Sequence, residues 1–100
     1  MKKNAYTVKS KVWIYPGGAA WHFVNIDKKQ SKELKETYGK HSRGFGSIPV
    51  EVTCGKSKWG TSLFPDRQSE TYLLPLKRSV RIAEDISEGD AIKFLLKVNM

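Results

Sequence analysis

A single cysteine, Cys54, stands in this chain, and that scarcity removes two classes of protein at once. No intramolecular disulfide can staple the fold, and no cysteine-rich zinc cluster can form. Cys54 ends the apolar series Ile48, Val50, Val52, Cys54, so a buried, inert thiol is the better reading than a nucleophile. Only two histidines occur, His22 and His41, on different segments and with no carboxylate or cysteine at ligand spacing. Gly-x-x-x-x-Gly-Lys phosphate loops and Gly-x-Ser-x-Gly nucleophile elbows are also missing, so neither nucleotide hydrolysis nor serine acyl transfer has its usual signature. No metal site and no cofactor are expected.

Long apolar runs are lacking too. No stretch approaches the ~20 residues of a membrane-spanning helix, and Met1-Lys2-Lys3-Asn4 leads straight into polar, alternating sequence without an apolar leader. The expectation is a soluble, unexported, cytoplasmic protein with no membrane partner. Neither an internal repeat nor a linker composition is present, so residues 1–100 read as one domain. Hydrophobic residues are 39% of the chain and include Trp13, Trp21 and Trp59, enough apolar surface to offset chain entropy in a compact core. Lys and Arg outnumber Asp and Glu by 18 to 10, a net charge of +8. Such an excess attracts polyanions, although a solubilising surface accounts for it equally well.

Period-2 alternation dominates the chain. Tyr6, Val8, Val12 and Ile14 share one parity against Thr7, Lys9 and Lys11, which predicts a strand with one wet face. Tyr15-Pro16-Gly17-Gly18 then reverses the chain into a strand over 20–26, where Trp21 and Phe23 share one face and His22 and Val24 the other. Asp27 with Gln30 has capping-box spacing, so a surface helix runs over 28–38, ended by Gly39 in the left-handed conformation. Strands over 48–54 and 58–64 flank Gly55-Lys56-Ser57. A short strand over 71–76 is confined to an edge or strand end by Pro75, and 77–83 makes a short helix with Val80 and Ala83 inward. Glu88-Gly89-Asp90 turns the chain into a last core strand, Ala91 to Val98, with Asp90 bonding the turn amides. About six strands separated by turns argue for a mostly β fold, a small closed or partly split barrel with one surface α-helix and one short helix.

Several ordered blocks then become recognisable: Arg43-Gly44-Phe45-Gly46-Ser47-Ile48-Pro49-Val50, Trp59-Gly60-Thr61-Ser62-Leu63-Phe64-Pro65-Asp66, Tyr72-Leu73-Leu74-Pro75-Leu76-Lys77, Val80-Arg81 and Gly89-Asp90, with Trp21-His22-Phe23-Val24 before them. Together these resemble the family named domain of unknown function 1905. The resemblance implies a small closed β-barrel and no assigned activity. The turn Ile86 to Ile92 is similar to the Gly-Asp turn of double-split barrels in transition-state regulators and antitoxins, many of which bind DNA.

Candidate binding residues follow from charge and hydroxyl placement. Lys77, Arg78 and Arg81 fall on one side of the short helix at i, i+1 and i+4, suited to clamp a phosphate or carboxylate. Thr61 and Ser62 supply hydroxyls, His22 a titratable ring and Trp21 an aromatic wall. The same residues also fit a solvated face, a cross-strand pair and a satisfied strand histidine. Arg43-Gly44-Phe45-Gly46 is similar to the glycine-spaced aromatic signature of RNA-recognition motifs, but Ser47 replaces an aromatic and Pro49 interrupts the strand, which favours a loop. The leading expectation is a non-enzymatic binding module whose basic surface, with Arg43, Lys77, Arg78 and Arg81, contacts nucleic acid or another anion. One alternative is a small-molecule site at the barrel mouth, catalytic or not. Another is a structural or protein-interaction domain with an exposed tryptophan patch. The sequence leaves the oligomeric state open.

Overall fold

The computed structural model describes residues 3–17, 20–42 and 44–100. Seven antiparallel strands run in chain order as β1 (Ala5–Lys11), β2 (Trp13–Ile14), β3 (His22–Asn25), β4 (Ile48–Cys54), β5 (Ser57–Asp66), β6 (Thr71–Pro75) and β7 (Ala91–Val98). Two helices, α1 (Lys28–Tyr38) and α2 (Arg78–Ala83), follow β3 and β6. The strands form one sheet in the order β1-β7-β4-β5-β6-β3-β2. No described helix is long and apolar enough to cross a membrane.

This sheet is a curled half-barrel of seven strands, which corrects the closed form of the expected closed or partly split barrel and its count of about six. The count rises by one because the first strand breaks at Val12. The Val12 amide donates to Asp90 O at 2.9 Å and its carbonyl accepts from Gly89 N at 2.8 Å, so its backbone serves the turn before β7 instead of a neighbouring ladder. The chain beyond it, β2, then pairs with β3, placing Trp13 opposite Phe23. A second change of partner falls in β5, which pairs with β4 through Leu63 and with β6 from Phe64. These two changes of partner go with the curl of the sheet.

Core residues come from the inward parity of each strand. Ile92, Phe94, Leu96 and Val98 of β7 meet Val50 and Val52 of β4 and Tyr6 and Val8 of β1, all buried. Cys54 is among them, and burial followed by the nearby Glu84 carboxylate pushes its thiol above the ordinary range. In α2 only Val80 is buried, and Ala83, expected inward, is exposed.

Helix α1 spans the opening of the curl. Asp27 accepts from Gln30 N at 3.1 Å and caps it. The Gln30 amide does not complete the capping box: its Nε2 donates to Thr7 O of the end strand β1 at 3.1 Å. Tyr38 Oη donates to Lys3 O at 2.6 Å. On the other side the buried Ser31 hydroxyl donates to Ile26 O at 3.0 Å and accepts from Tyr72 N at 3.0 Å. Gly39 is right-handed, with φ −58°, and the helix tightens into a 3-10 turn over Gly39–His41, so the left-handed stop expected there is not used.

Two outcomes follow for stability. Ser31→Ala leaves a buried amide and a buried carbonyl without their partner and should cost about 1–3 kcal/mol in urea unfolding. Burial raises the Tyr6 and Tyr72 hydroxyls as well as the Cys54 thiol. At neutral pH both folded and unfolded states hold these protons. Above about 8.5 for the thiol and about 10 for the phenols the unfolded chain releases them first, so stability should fall as pH rises. The urea midpoint measured from neutral to alkaline pH checks this, and Cys54→Ala should remove the earlier part of the fall.

Candidate functional site

Where β6 ends, the chain passes directly into α2 beside the start of β3. Leu76 N donates to His22 O at 2.9 Å, extending the β3–β6 ladder by one residue. Lys77, with φ −69° and ψ 155°, then turns the chain, and its carbonyl accepts from Val80 N and Arg81 N, both at 3.1 Å. Val80 is buried and pins the short helix against the core. Lys77, Arg78 and Arg81 therefore leave a fixed piece of backbone.

These three cations line a cleft of about 350 Å³ together with Ala20, Trp21 and His22 at the start of β3, Trp59, Gly60 and Thr61 of β5, and Pro75 and Leu76. No carboxylate lines it. Among the described residues the ion pairs are Lys3–Glu33 at 4.0 Å and Lys58–Glu51 at 3.5 Å, so none of the cleft cations is neutralised by one.

Arg81 is held in two places. Its Nε donates to Leu76 O at 3.1 Å, and its Nη1 lies 3.4 Å from His22 Nε2. The His22 Nδ1 sits 2.7 Å from Ala20 O. A carbonyl only accepts and a guanidinium only donates, so the neutral ring carries its proton on Nδ1 and offers its Nε2 lone pair to Arg81. Ala20 takes a left-handed backbone, φ 53°, at this point, an uncommon conformation for a residue with a Cβ. The remaining N–H groups of Arg81 are left for another acceptor.

The apolar side of the cleft is built from tryptophans. Trp59 is buried, whereas Trp21 is 56% exposed and stacks on Phe23 with ring centroids 6.2 Å apart and an interplanar angle of 11°. Phe23 in turn packs on Trp13 at 5.3 Å. Trp13 Nε1 donates to Asn25 Oδ1 at 2.6 Å, and Asn25 Nδ2 donates to Thr71 Oγ1 at 2.9 Å. The exposed indole thus rests on an anchored aromatic column.

At the far end of α2, Ser57 Oγ donates to Glu84 Oε2 at 2.6 Å, tying the helix to the β4–β5 turn. Gly55 in that turn has φ +60°, and a Cβ there would overlap the Glu84 carboxylate.

Among the residues singled out from sequence, Trp21, His22, Thr61, Lys77, Arg78 and Arg81 come together around the cleft. Ser62 does not line it: it lies on the opposite parity of β5 from Thr61 and pairs with Pro49. Arg43 lies outside the described residues. Trp59 was missed, although its i, i+2 relation to Thr61 on one strand was a legible signal. Asp90 bonds its turn as expected, accepting from Ser87 N at 2.9 Å. No three metal-ligating side chains converge among the described residues.

The ring geometry has a spectroscopic consequence. Long-range 15N–1H correlation spectra of the neutral His22 ring should show Nδ1 protonated and Nε2 bare. The reverse tautomer would break the proposed link to Arg81.

The model of the family described as Domain of unknown function (DUF1905) matches residues 9–96, which include every residue lining the cleft. No curated protein matches the chain.

Proposed function

The chain belongs to the domain of unknown function 1905 family, whose name assigns no activity, and we propose on its own geometry that it is a non-enzymatic binding module whose cleft takes a small anionic ligand with a flat, apolar portion. The observation that carries this reading is the gathering of Lys77, Arg78 and Arg81 around one concavity that no carboxylate lines. An anion entering there gains charge-assisted hydrogen bonds without displacing an internal partner. Arg81 is already oriented by Leu76 O and His22, so little side-chain entropy is lost when it engages a phosphate or carboxylate.

The aromatic side gives the second half of the ligand its place. Trp21 offers one exposed face while its other face is supported by Phe23, and a planar group stacked there would also shield the anion from water. A volume of about 350 Å³ lies at the lower end of the range for small-molecule sites. Thr61 adds a hydroxyl at the rim. The roles assigned are therefore Arg81 as the oriented fork, Lys77 and Arg78 as mobile countercharges, and Trp21 as the platform.

The aromatic group formed by exposed Tyr15 and Trp21 on half-buried Phe23 also favours a second reading, a protein-docking face. The cations beside it argue for the small anion.

Titration with phosphorylated ring compounds and with inorganic phosphate, followed by tryptophan fluorescence and calorimetry, tests the proposal. Quenching should accompany binding of the ring compounds, and Arg81→Ala should weaken it about 10- to 100-fold, the worth of hydrogen bonds to a charged group. Absence of heat and quenching at low salt with every probe, or unchanged affinity in the Arg81 variant, would sink it.

A further inference from the structure

A second concavity lies between α1 and the β5–β6 hairpin, and it shares no lining residue with the cleft. Its volume is about 1120 Å³, about three times that of the cleft. Lys28, Lys32 and Lys35 form one wall. Their i, i+4, i+7 spacing places them in a row on one helix face, covering about 10 Å of the helix axis. Arg67 stands on the hairpin side. The groove's two acids are Asp66 and Glu70. The Asp66 carboxylate is already occupied, accepting from Ser69 Oγ at 2.6 Å and Ser69 N at 3.3 Å. None of the four cations has an ion-pair partner among the described residues.

Phe45 also lines this groove and is 98% exposed. Its backbone is left-handed, φ 60° and ψ 20°, a conformation that is unfavourable for a residue with a bulky side chain. An aromatic ring left in water on a strained backbone contributes nothing to the fold, and such strain collects at functional positions. A row of cations in one groove with an unpartnered aromatic is the arrangement that tracks a phosphate backbone and stacks an unpaired base.

We propose that this groove binds single-stranded nucleic acid, with Lys28, Lys32, Lys35 and Arg67 along the phosphates and Phe45 stacking one base. Acidic peptides share the charge but have no base to stack on Phe45. Duplexes keep their bases stacked internally. Both are therefore weaker occupants.

Fluorescence anisotropy of a short, labelled, mixed-sequence single strand tests this between roughly 50 and 200 mM salt, where log affinity should fall with log salt by about 0.7 per phosphate contacted. The triple variant K28Q/K32Q/K35Q should lose affinity and flatten that slope by about 2. Phe45→Ala removes a fully exposed side chain, leaves the fold intact, and should weaken binding about fivefold or more while leaving the salt slope unchanged. Arg81→Ala, which alters only the cleft, should bind the strand as the parent does, so failure here is distinguishable from failure at the cleft. The proposal is overturned if no strand binds at low salt, if Phe45→Ala is silent, or if a duplex or poly-glutamate binds as tightly as the single strand.

Discussion

A curled sheet must pair every backbone group it buries, and where β3 parts from β6 the Ser31 hydroxyl of α1 does this. It donates to one buried carbonyl, Ile26 O, and accepts from one buried amide, Tyr72 N, standing in for a ladder rung that no strand supplies. Gln30 and Tyr38 tie the helix to the other side, donating to Thr7 O of the end strand β1 and to Lys3 O just before it. Unpaired backbone groups in a core cost as much as a lost hydrogen bond each, so the helix is as much a part of the sheet as a strand would be. Its outer face is then free to carry lysines, and the groove beside β5–β6 exists because a helix, with its larger diameter, fills a strand's place.

The cleft depends on a different economy. Three cations gathered without an acid repel one another, and the fold accepts that cost at a site where water and salt screen it. What it gains is orientation: the Leu76 carbonyl and the His22 ring fix Arg81, the Ala20 carbonyl fixes His22, and the exposed Trp21 rests on Phe23. Arg81, His22 and Trp21 are each held by a group behind them, the arrangement that keeps side-chain geometry narrow.

Much of this was legible in the residues. Alternation located most of the strands and Asp27 located the helix start; Lys77, Arg78 and Arg81 meet at the cleft, although the short helix starts at Arg78 and Lys77 is the extended residue before it, outside the helical spacing expected of it. The misses share a cause, which is that they are decided by tertiary partners. Nothing local marks Val12 as a break, because its amide and carbonyl are claimed by Asp90 and Gly89, far along the chain. Serine at position 31 reads as helix surface until Tyr72 is seen against it. Gly39 has a left-handed option that the following 3-10 turn makes unnecessary. Ser62 was grouped with Thr61 by adjacency, whereas neighbours on a strand face opposite ways, and Trp59 was overlooked for the same reason.

Gly55 does not line the cleft, yet it sits where the carboxylate of Glu84 needs room, and Glu84 holds the far end of the helix that bears Arg78 and Arg81. The β4–β5 turn is therefore a tensioning point for a surface on another part of the molecule. A substitution there would move Arg78 and Arg81 while leaving both side chains unchanged, so the placement of the cleft's cations is set partly by a residue outside it.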